Sequence, residues 1–199
     1  MGPAKVGARE AQRLATRERV FAAAVAEFKR VGSVEADIGS IIEEAGVAHG
    51  TFFFHFPTKE HVLAELGQRE EARMAVELDR HLATPSALPE TLVTVTRLSV
   101  GLERRLGTIL FKEMLALFFA PGRPALEFWT EHPVIDSVIA EFRRASVELG
   151  AADDAVDPEN RALFFLLGLY GLLLVQDRDA SRAGLLDQFI ATVLGGLGA

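Results

Sequence analysis

Residues 38–55 read IGSIIEEAGVAHGTFFFH, and the interpretation of the whole chain depends on this stretch. Asp37 can cap a short helix that carries the isoleucines, and Gly46 suits a left-handed turn after it. A second short helix is predicted over residues 49–55. Two short helices joined by a glycine turn form a helix-turn-helix, although an ordinary hairpin in a helical core has the same layout.

The residues before this stretch predict a long amphipathic helix that ends near Gly32. The apolar positions that carry its period are Leu14, Val20, Phe21, Ala24, Val25, Phe28 and Val31. After the stretch, Thr58 is predicted to cap a long helix that reaches about Leu82. Further helices fit residues 90–104, 105–119, 133–149, 158–177 and 182–197, and no segment alternates convincingly as a strand. The sequence therefore predicts an all-α protein.

Composition excludes several classes of site. The 199 residues are 49% hydrophobic and 25% charged, as in ordinary globular proteins, and none is cysteine. Disulfides, thiol nucleophiles and thiolate zinc sites are therefore impossible, and we expect a cytoplasmic protein because no apolar secretory segment opens the chain.

The net charge of −7 belongs to the region after residue 60, whereas residues 1–34 are rich in Lys and Arg. That asymmetry suits a DNA-facing end on an acidic body.

Residues 162–175 are almost entirely apolar. Fourteen helical residues span roughly 21 Å, less than the about 30 Å of a bilayer core, so a buried helix is favoured over a membrane span. A helix that is apolar all round needs two partners, which favours a homodimer over a monomer with a central helix. The predicted dimer interface comprises Gly168, Gly171, Leu172, Leu186, Phe189 and Ile190.

The stretch from Ala45 to Glu60, AGVAHGTFFFHFPTKE, resembles the "AGVS.GT.Y.YF..KE" signature of the tetracycline-repressor (TetR) family. Residues 22–32 also resemble that family's first helix, and the likeness covers about residues 14–63. It implies an N-terminal three-helix bundle with a helix-turn-helix over residues 1–57. Residues 58–199 would form a helical effector-binding and dimerisation domain.

The resemblance also implies roles for matched positions. Gly46 makes the turn, and Ile41, Val47, Phe52 and Phe56 pack the small domain. The DNA-binding residues would be His49, Gly50 and Phe54 near the bases and Thr51, Phe53, His55 and Lys59 near the phosphates, with Arg13 and Arg17 as further phosphate contacts. Three departures weaken the DNA contact: Ala48 replaces the usual capping serine, Phe53 replaces a tyrosine, and Glu43 and Glu44 place negative charge near the turn.

Aromatic and apolar residues in the C-terminal part predict a pocket for an apolar small-molecule effector, although core packing explains any single one of them. The predicted pocket residues are Phe111, Met114, Phe118, Phe128, Trp129, Phe142 and Phe165. Lys112 and Glu113 interrupt this apolar run, and their helical angles predict a solvated face.

We expect neither an enzyme, a cofactor nor a metal site. Nucleophile motifs, phosphate-binding glycine loops and paired catalytic carboxylates are absent from the sequence, and no two histidines have the HExxH spacing. The sequence favours a dimeric regulator, most simply a repressor that an effector releases from a palindromic operator in double-stranded DNA. Control by a protein partner, activation instead of repression, and a helical binding protein with weak or lost DNA binding remain alternatives.

Overall fold

The computed structural model describes the backbone of residues 3–119, 132–148, 157–175 and 180–195, with side chains for these ranges except residues 3–6 and 180. Every regular element in these ranges is an α-helix. The helices are α1 (Pro3–Val31), α2 (Ile38–Ala45), α3 (His49–His55), α4 (Lys59–Leu82), α5 (Leu88–Leu106), α6 (Thr108–Phe119), α7 (Pro133–Glu148), α8 (Pro158–Val175) and α9 (Ala180–Gly195).

The predicted all-α class is confirmed, and the helix ends agree closely with the capping signals in the sequence. The Asp37 carboxylate accepts a hydrogen bond of 2.8 Å from the Ser40 N–H and so begins α2. Gly46 ends α2 with φ 61° and ψ 45°, the left-handed conformation that glycine adopts at little cost. The main difference is at α1, which begins at Pro3, well before the first apolar position of the predicted helix.

The described residues divide into two compact units, and the domain boundary between residues 57 and 58 stays a prediction. The first comprises Met1–Gly67 and Leu106–Phe128, and the second comprises Gln68–Arg105 and Trp129–Ala199. The chain passes from the first unit to the second inside α4 and returns at Leu106, the last residue of α5. Gly107 follows that second junction with φ 83°.

The first unit has a core made largely of aromatic side chains. Phe28, Phe52 and Ile41 are fully buried, and the Phe52 and Phe21 rings both lie within 6.5 Å of the Phe56 ring. Burying a side chain of this size contributes roughly 1.5–3 kcal/mol, so a few such residues stabilise a small three-helix unit. This core fixes α3 against α1 and α2.

The second unit is built around α8. Its Phe165, Leu169 and Leu173 side chains are fully buried within the chain, and Phe165 stacks on Phe189 of α9 with ring centroids 5.8 Å apart. Of the helices in the described ranges, α8 alone is long and apolar enough to cross a membrane by length and composition. Core helices pass the same test, and the buried face of α8 is that of a core helix.

Candidate nucleic-acid interface

The second helix of the helix-turn-helix, α3, has one buried side and one exposed side. Phe52 is fully buried, whereas Phe54 is 72% exposed and Phe53 is 39% exposed. His49 and Gly50 are exposed in the first turn. All three residues predicted to lie near bases, His49, Gly50 and Phe54, are therefore on solvent-facing positions of one short helix.

The first turn of α3 lacks a side-chain cap, as the alanine at position 48 predicts. Ala48 has extended backbone angles and its methyl group cannot accept a hydrogen bond. An N-cap Ser, Thr, Asp or Asn typically stabilises a helix by about 1 kcal/mol relative to alanine. Glu43 and Glu44 are exposed on α2, so their negative charges face solvent beside the turn.

Arg17, predicted to contact phosphate, is engaged within the protein. Its Nη1 donates a 2.7 Å hydrogen bond to Glu65 Oε1, and Nη2 forms an ion pair with the other carboxylate oxygen. The guanidinium also lies 4.5 Å from the centroid of the Phe56 ring, a cation–π distance. This side chain therefore ties α1 to α4 and to the aromatic core.

Lys59 also has partners within the chain. Its Nζ donates hydrogen bonds of 2.7 Å to the Val34 carbonyl and 3.0 Å to the Ala36 carbonyl. Both carbonyls lie in the connection between α1 and α2, where backbone groups lack helical partners. Lys59 thus holds the entry to the helix-turn-helix, a role that the sequence resemblance did not indicate.

Arg13 and His55 lie on the same side of the first unit. Arg13 is exposed and pairs with Glu10 one turn earlier on α1 at 2.6 Å. Burial lowers the pKa of the half-buried His55, and the positive charges of Arg13 and Arg17 lower it further. The His55 imidazole is therefore neutral near pH 7. Thr51 is half-buried in the same helix.

Glu113 of α6 makes a structural contact with the end of α1 that the sequence did not predict. The predicted solvated face is wrong at this position, because its carboxylate accepts hydrogen bonds from the Ser33 N–H at 2.5 Å and the Val34 N–H at 3.4 Å. Gly32 makes room for it, since a Cβ there would lie 2.8 Å from Glu113 Oε1. The helix angles of α6 alone could not reveal a partner about eighty residues away.

The residues of the predicted effector pocket fall in different places. Phe111 and Met114 are buried and Phe118 is half-buried in the first compact unit, whereas Phe142 and Phe165 are fully buried in the second. Phe128 and Trp129 lie outside the described residues. The pocket itself stays a prediction. In the described ranges, no group of three His, Asp or Glu side chains could hold a metal ion.

Several residues of the predicted dimer interface are used inside the chain. A Cβ at Gly168 would lie 2.6 Å from two ring atoms of Phe189, so this glycine admits the Phe189 ring between α8 and α9. Leu186 and Ile190 are buried, and Gly171 and Leu172 are half-buried. The exposed apolar surface of α8 lies elsewhere on the helix, at Leu163, Phe164, Leu167 and Val175.

Comparison with known proteins places these features in a family. Residues 20–66 match the model of the bacterial regulatory proteins of the tetR family. The chain is also 30% identical over 95 residues to the HTH-type transcriptional regulator AcrR of Shigella flexneri, an alignment that covers 45% of this chain and 44% of that protein. The match thus spans less than half the length of that relative.

Two solved structures are similar over most of the chain. One is Thermus thermophilus FadR, a TetR-family repressor in complex with lauroyl-CoA, with 26% identity, a TM-score of 0.68 and coverage of 90% of this chain and 94% of that one. The other is FadR of Bacillus subtilis in complex with stearoyl-CoA, with 15% identity, a TM-score of 0.70 and coverage of 90% and 98%. The family match over residues 20–66 and the helical fold shared with a TetR-family repressor over 90% of the chain support membership of the tetR family of bacterial regulatory proteins.

Proposed function

We propose that the protein is a homodimeric, cytoplasmic transcriptional repressor that binds a palindromic operator through α3 and is released by an apolar small molecule. The observation that carries the proposal is the two-sided character of α3. Phe52 anchors one side in the core while the other side presents Phe54, His49 and Gly50 to solvent. A helix held in this way can enter the major groove and place its first residues near base edges.

The proposed DNA contacts divide into two kinds. His49, Gly50 and Phe54 meet the bases, with the exposed Phe54 ring suited to an apolar contact such as a thymine methyl group. Thr51, Phe53, His55 and Arg13 lie along the phosphates, which position the helix without specifying sequence. Because Arg17 and Lys59 already have partners in the chain, we assign them to positioning the helices.

That assignment changes the expected phenotype of Lys59→Ala. A pure phosphate contact would lower operator affinity and leave the stability of the fold unchanged. Loss of the two hydrogen bonds to the Val34 and Ala36 carbonyls should instead lower both the operator affinity and the stability of the fold. Urea denaturation of Lys59→Ala beside Arg13→Ala, whose side chain is exposed, separates the two roles.

The proposed homodimer uses the exposed stripe of α8, defined by Leu163, Phe164, Leu167 and Val175. At 100° per residue these positions fall within about 120° of the helix circumference, opposite the buried Phe165, Leu169 and Leu173. An apolar stripe of this kind is unfavourable in water and fits a second copy of the same stripe around a two-fold axis. A dimer bound to a palindromic operator would place its two α3 helices in successive major grooves about 34 Å apart.

The proposed effector is a small molecule with a long apolar chain. Support comes from the Thermus thermophilus repressor, which is bound to lauroyl-CoA and is 26% identical to this chain over 90% of its length. Release requires that the effector bind the DNA-free protein more tightly than the operator complex, because only that difference shifts the equilibrium. Operator DNA must then weaken effector binding by the same factor.

The first experiment is selection of bound sequences from a random duplex library at low salt, followed by a salt titration of the selected site. We expect an enriched palindrome and an affinity that falls steeply with salt concentration. Lauroyl-CoA should release the protein from that duplex, with free coenzyme A as the matched control. Enrichment without release would refute the effector and leave the DNA-binding proposal standing.

A second candidate function is a helical binding protein whose DNA-binding head has decayed. Specific observations favour it: α3 has no side-chain cap, Glu43 and Glu44 face solvent, and the cations of Arg17 and Lys59 are engaged internally. Absence of any enriched sequence at low salt, with the helical fold intact by circular dichroism, would establish this candidate over the first.

A further inference from the structure

A cavity of about 410 Å³ lies between α5 and α9 in the second compact unit, a volume typical of small-molecule sites. Its walls carry apolar side chains, among them Val93, Leu186 and Ile190. They also carry three arginines, Arg97, Arg104 and Arg182. We name this cavity the α5–α9 groove.

The two helices that line the groove run antiparallel. This direction places charged side chains toward one end of the groove and apolar side chains toward the other. A buried ion pair joins Arg182 at the start of α9 to Glu103 near the end of α5, with Nη2 to Oε2 at 2.6 Å and Nη1 to Oε1 at 3.2 Å. Ile190, roughly 12 Å further along α9, can share a cavity with Val93 only if α9 runs back along α5. Arg104 and Arg182 therefore lie at one end and the apolar pair Val93 and Ile190 at the other, with Arg97 between them, one helical turn from Val93.

The positive charge of the groove is only partly balanced by the chain. Glu103 is fully buried and neutralises Arg182, and Asp187 is the acidic residue in the groove wall. Arg97 and Arg104 are exposed, and neither has an ion pair among the described residues. Two available guanidinium groups beside an apolar wall are notable on a chain whose net charge is −7.

From this arrangement we propose that the α5–α9 groove binds a small amphipathic anion, with its carboxylate or phosphate at the arginines and its apolar body along Val93, Leu186 and Ile190. Guanidinium groups donate in pairs to planar carboxylates and to phosphates, and such charge-assisted bonds are stronger than neutral ones. The apolar end contributes burial of hydrocarbon, and the 410 Å³ volume admits a medium-length chain.

The groove differs from the effector pocket predicted from the sequence, because none of the pocket residues that the structure describes lines it. Its binding can therefore be measured on the protein alone, without operator DNA. Failure of this proposal would leave the DNA-binding proposal unaffected, and the reverse also holds.

The test is calorimetric titration of the full-length protein with three ten-carbon ligands below their micelle concentrations: decanoate, decyl phosphate and decanol. We expect both anions to bind and decanol to bind at least about tenfold more weakly, since it lacks the charge that the arginines recognise. Equal binding of decanol would overturn the proposal.

Two kinds of variant locate the site. Arg97→Gln and Arg104→Gln should each weaken decanoate binding about tenfold, whereas Arg80→Gln removes the same charge from an exposed position on α4 and should have no effect. Ala183→Phe should abolish binding by filling the groove, with Ala140→Phe on the exposed face of α7 as its control. Unchanged binding in Arg97→Gln, Arg104→Gln and Ala183→Phe would place the ligand elsewhere and refute the groove.

A final arm distinguishes a free amphiphile from a lipid surface, because both present an anionic head on an apolar body. Vesicles of anionic phospholipid are mixed with the protein and floated on a density gradient. The proposal expects monomeric decanoate to bind and the vesicles to leave the protein in the dense fraction. Flotation that depends on Arg97 and Arg104, without binding of the monomeric anions, would overturn the small-molecule site in favour of membrane contact.

Discussion

Phe54 has the most exposed of the aromatic rings in α3, and an exposed aromatic ring on a short helix contributes little to folding. We predict that Phe54→Ala lowers affinity for the selected operator about tenfold, the lower end of what one base contact contributes to discrimination. Its stability should change by less than about 0.5 kcal/mol. Fluorescence anisotropy with specific and random duplexes measures the operator affinity, and urea denaturation measures the stability of the variant.

The buried Phe52 supplies the matched control two positions earlier. Phe52→Ala should destabilise the fold by about 3–5 kcal/mol, because it leaves a cavity in the aromatic core. Equal loss of random-sequence and operator binding in Phe54→Ala would contradict a base contact.

His55 gives the fold a dependence on pH whose sign follows from its lowered pKa. The unfolded chain takes up a proton near pH 6.5, whereas the folded chain resists it, so stability falls as the pH drops below about 6.5. His55→Gln should therefore lose less stability than the wild type between pH 7.5 and pH 5.5 in urea denaturation. NMR titration should show the pKa of His55 rising in Arg13→Gln, and an unchanged pKa would contradict the contribution of Arg13.

At the residue scale, the sequence predicts local interactions well and distant ones poorly. Asp37, Gly46 and Ala48 act on neighbours within four residues, so their capping roles follow from the pattern alone. Lys59 and Glu113 find their partners 23 to 80 residues away, at backbone groups that carry no sequence signature. The position of a charged residue in the helical period therefore predicts which face of the helix it lies on, but it does not predict which distant group it contacts.

The contact between α8 and α9 depends on the absence of a side chain at Gly168. A methyl group there would lie 2.6 Å from the Phe189 ring, so Gly168→Ala should force the helices apart and destabilise the protein by about 1–3 kcal/mol. Gly101→Ala in the middle of α5 is the control, because its nearest atom is an arginine tip 3.6 Å away. That variant should gain roughly 0.5–1 kcal/mol from helix propensity, as measured by urea denaturation.

Helix α6 is held to the end of α1 by the Glu113 carboxylate. Glu113→Ala leaves the N–H groups of Ser33 and Val34 without this acceptor and should lower stability by about 1.5–3 kcal/mol. Glu35→Ala, an exposed change nearby, should have little effect. Equal unfolding midpoints for the two variants would show that the Glu113 contact contributes nothing to the fold.

For the whole molecule, the α8 stripe determines the expected state of assembly. Phe164→Glu places a charge in the stripe at a position that is 62% exposed in the single chain, so it should convert a dimer into a monomer without unfolding it. Analytical ultracentrifugation measures the mass, and operator affinity should fall with it. Val147→Glu, at an exposed apolar position on α7, is the control, and a dimeric Phe164→Glu would exclude the stripe as the interface.

The stripe also determines how such a repressor would respond to its own abundance. Where chains are scarcer than the dissociation constant of the dimer, the number of dimers varies with the square of the number of chains. Halving synthesis would then cut operator occupancy about fourfold, whereas well above that constant the response becomes linear. When a cell divides, its two daughters can receive unequal numbers of repressor chains. The apolar character of four residues on α8 sets the dissociation constant of the dimer, and it would therefore decide whether operator occupancy differs sharply or gradually between those daughters.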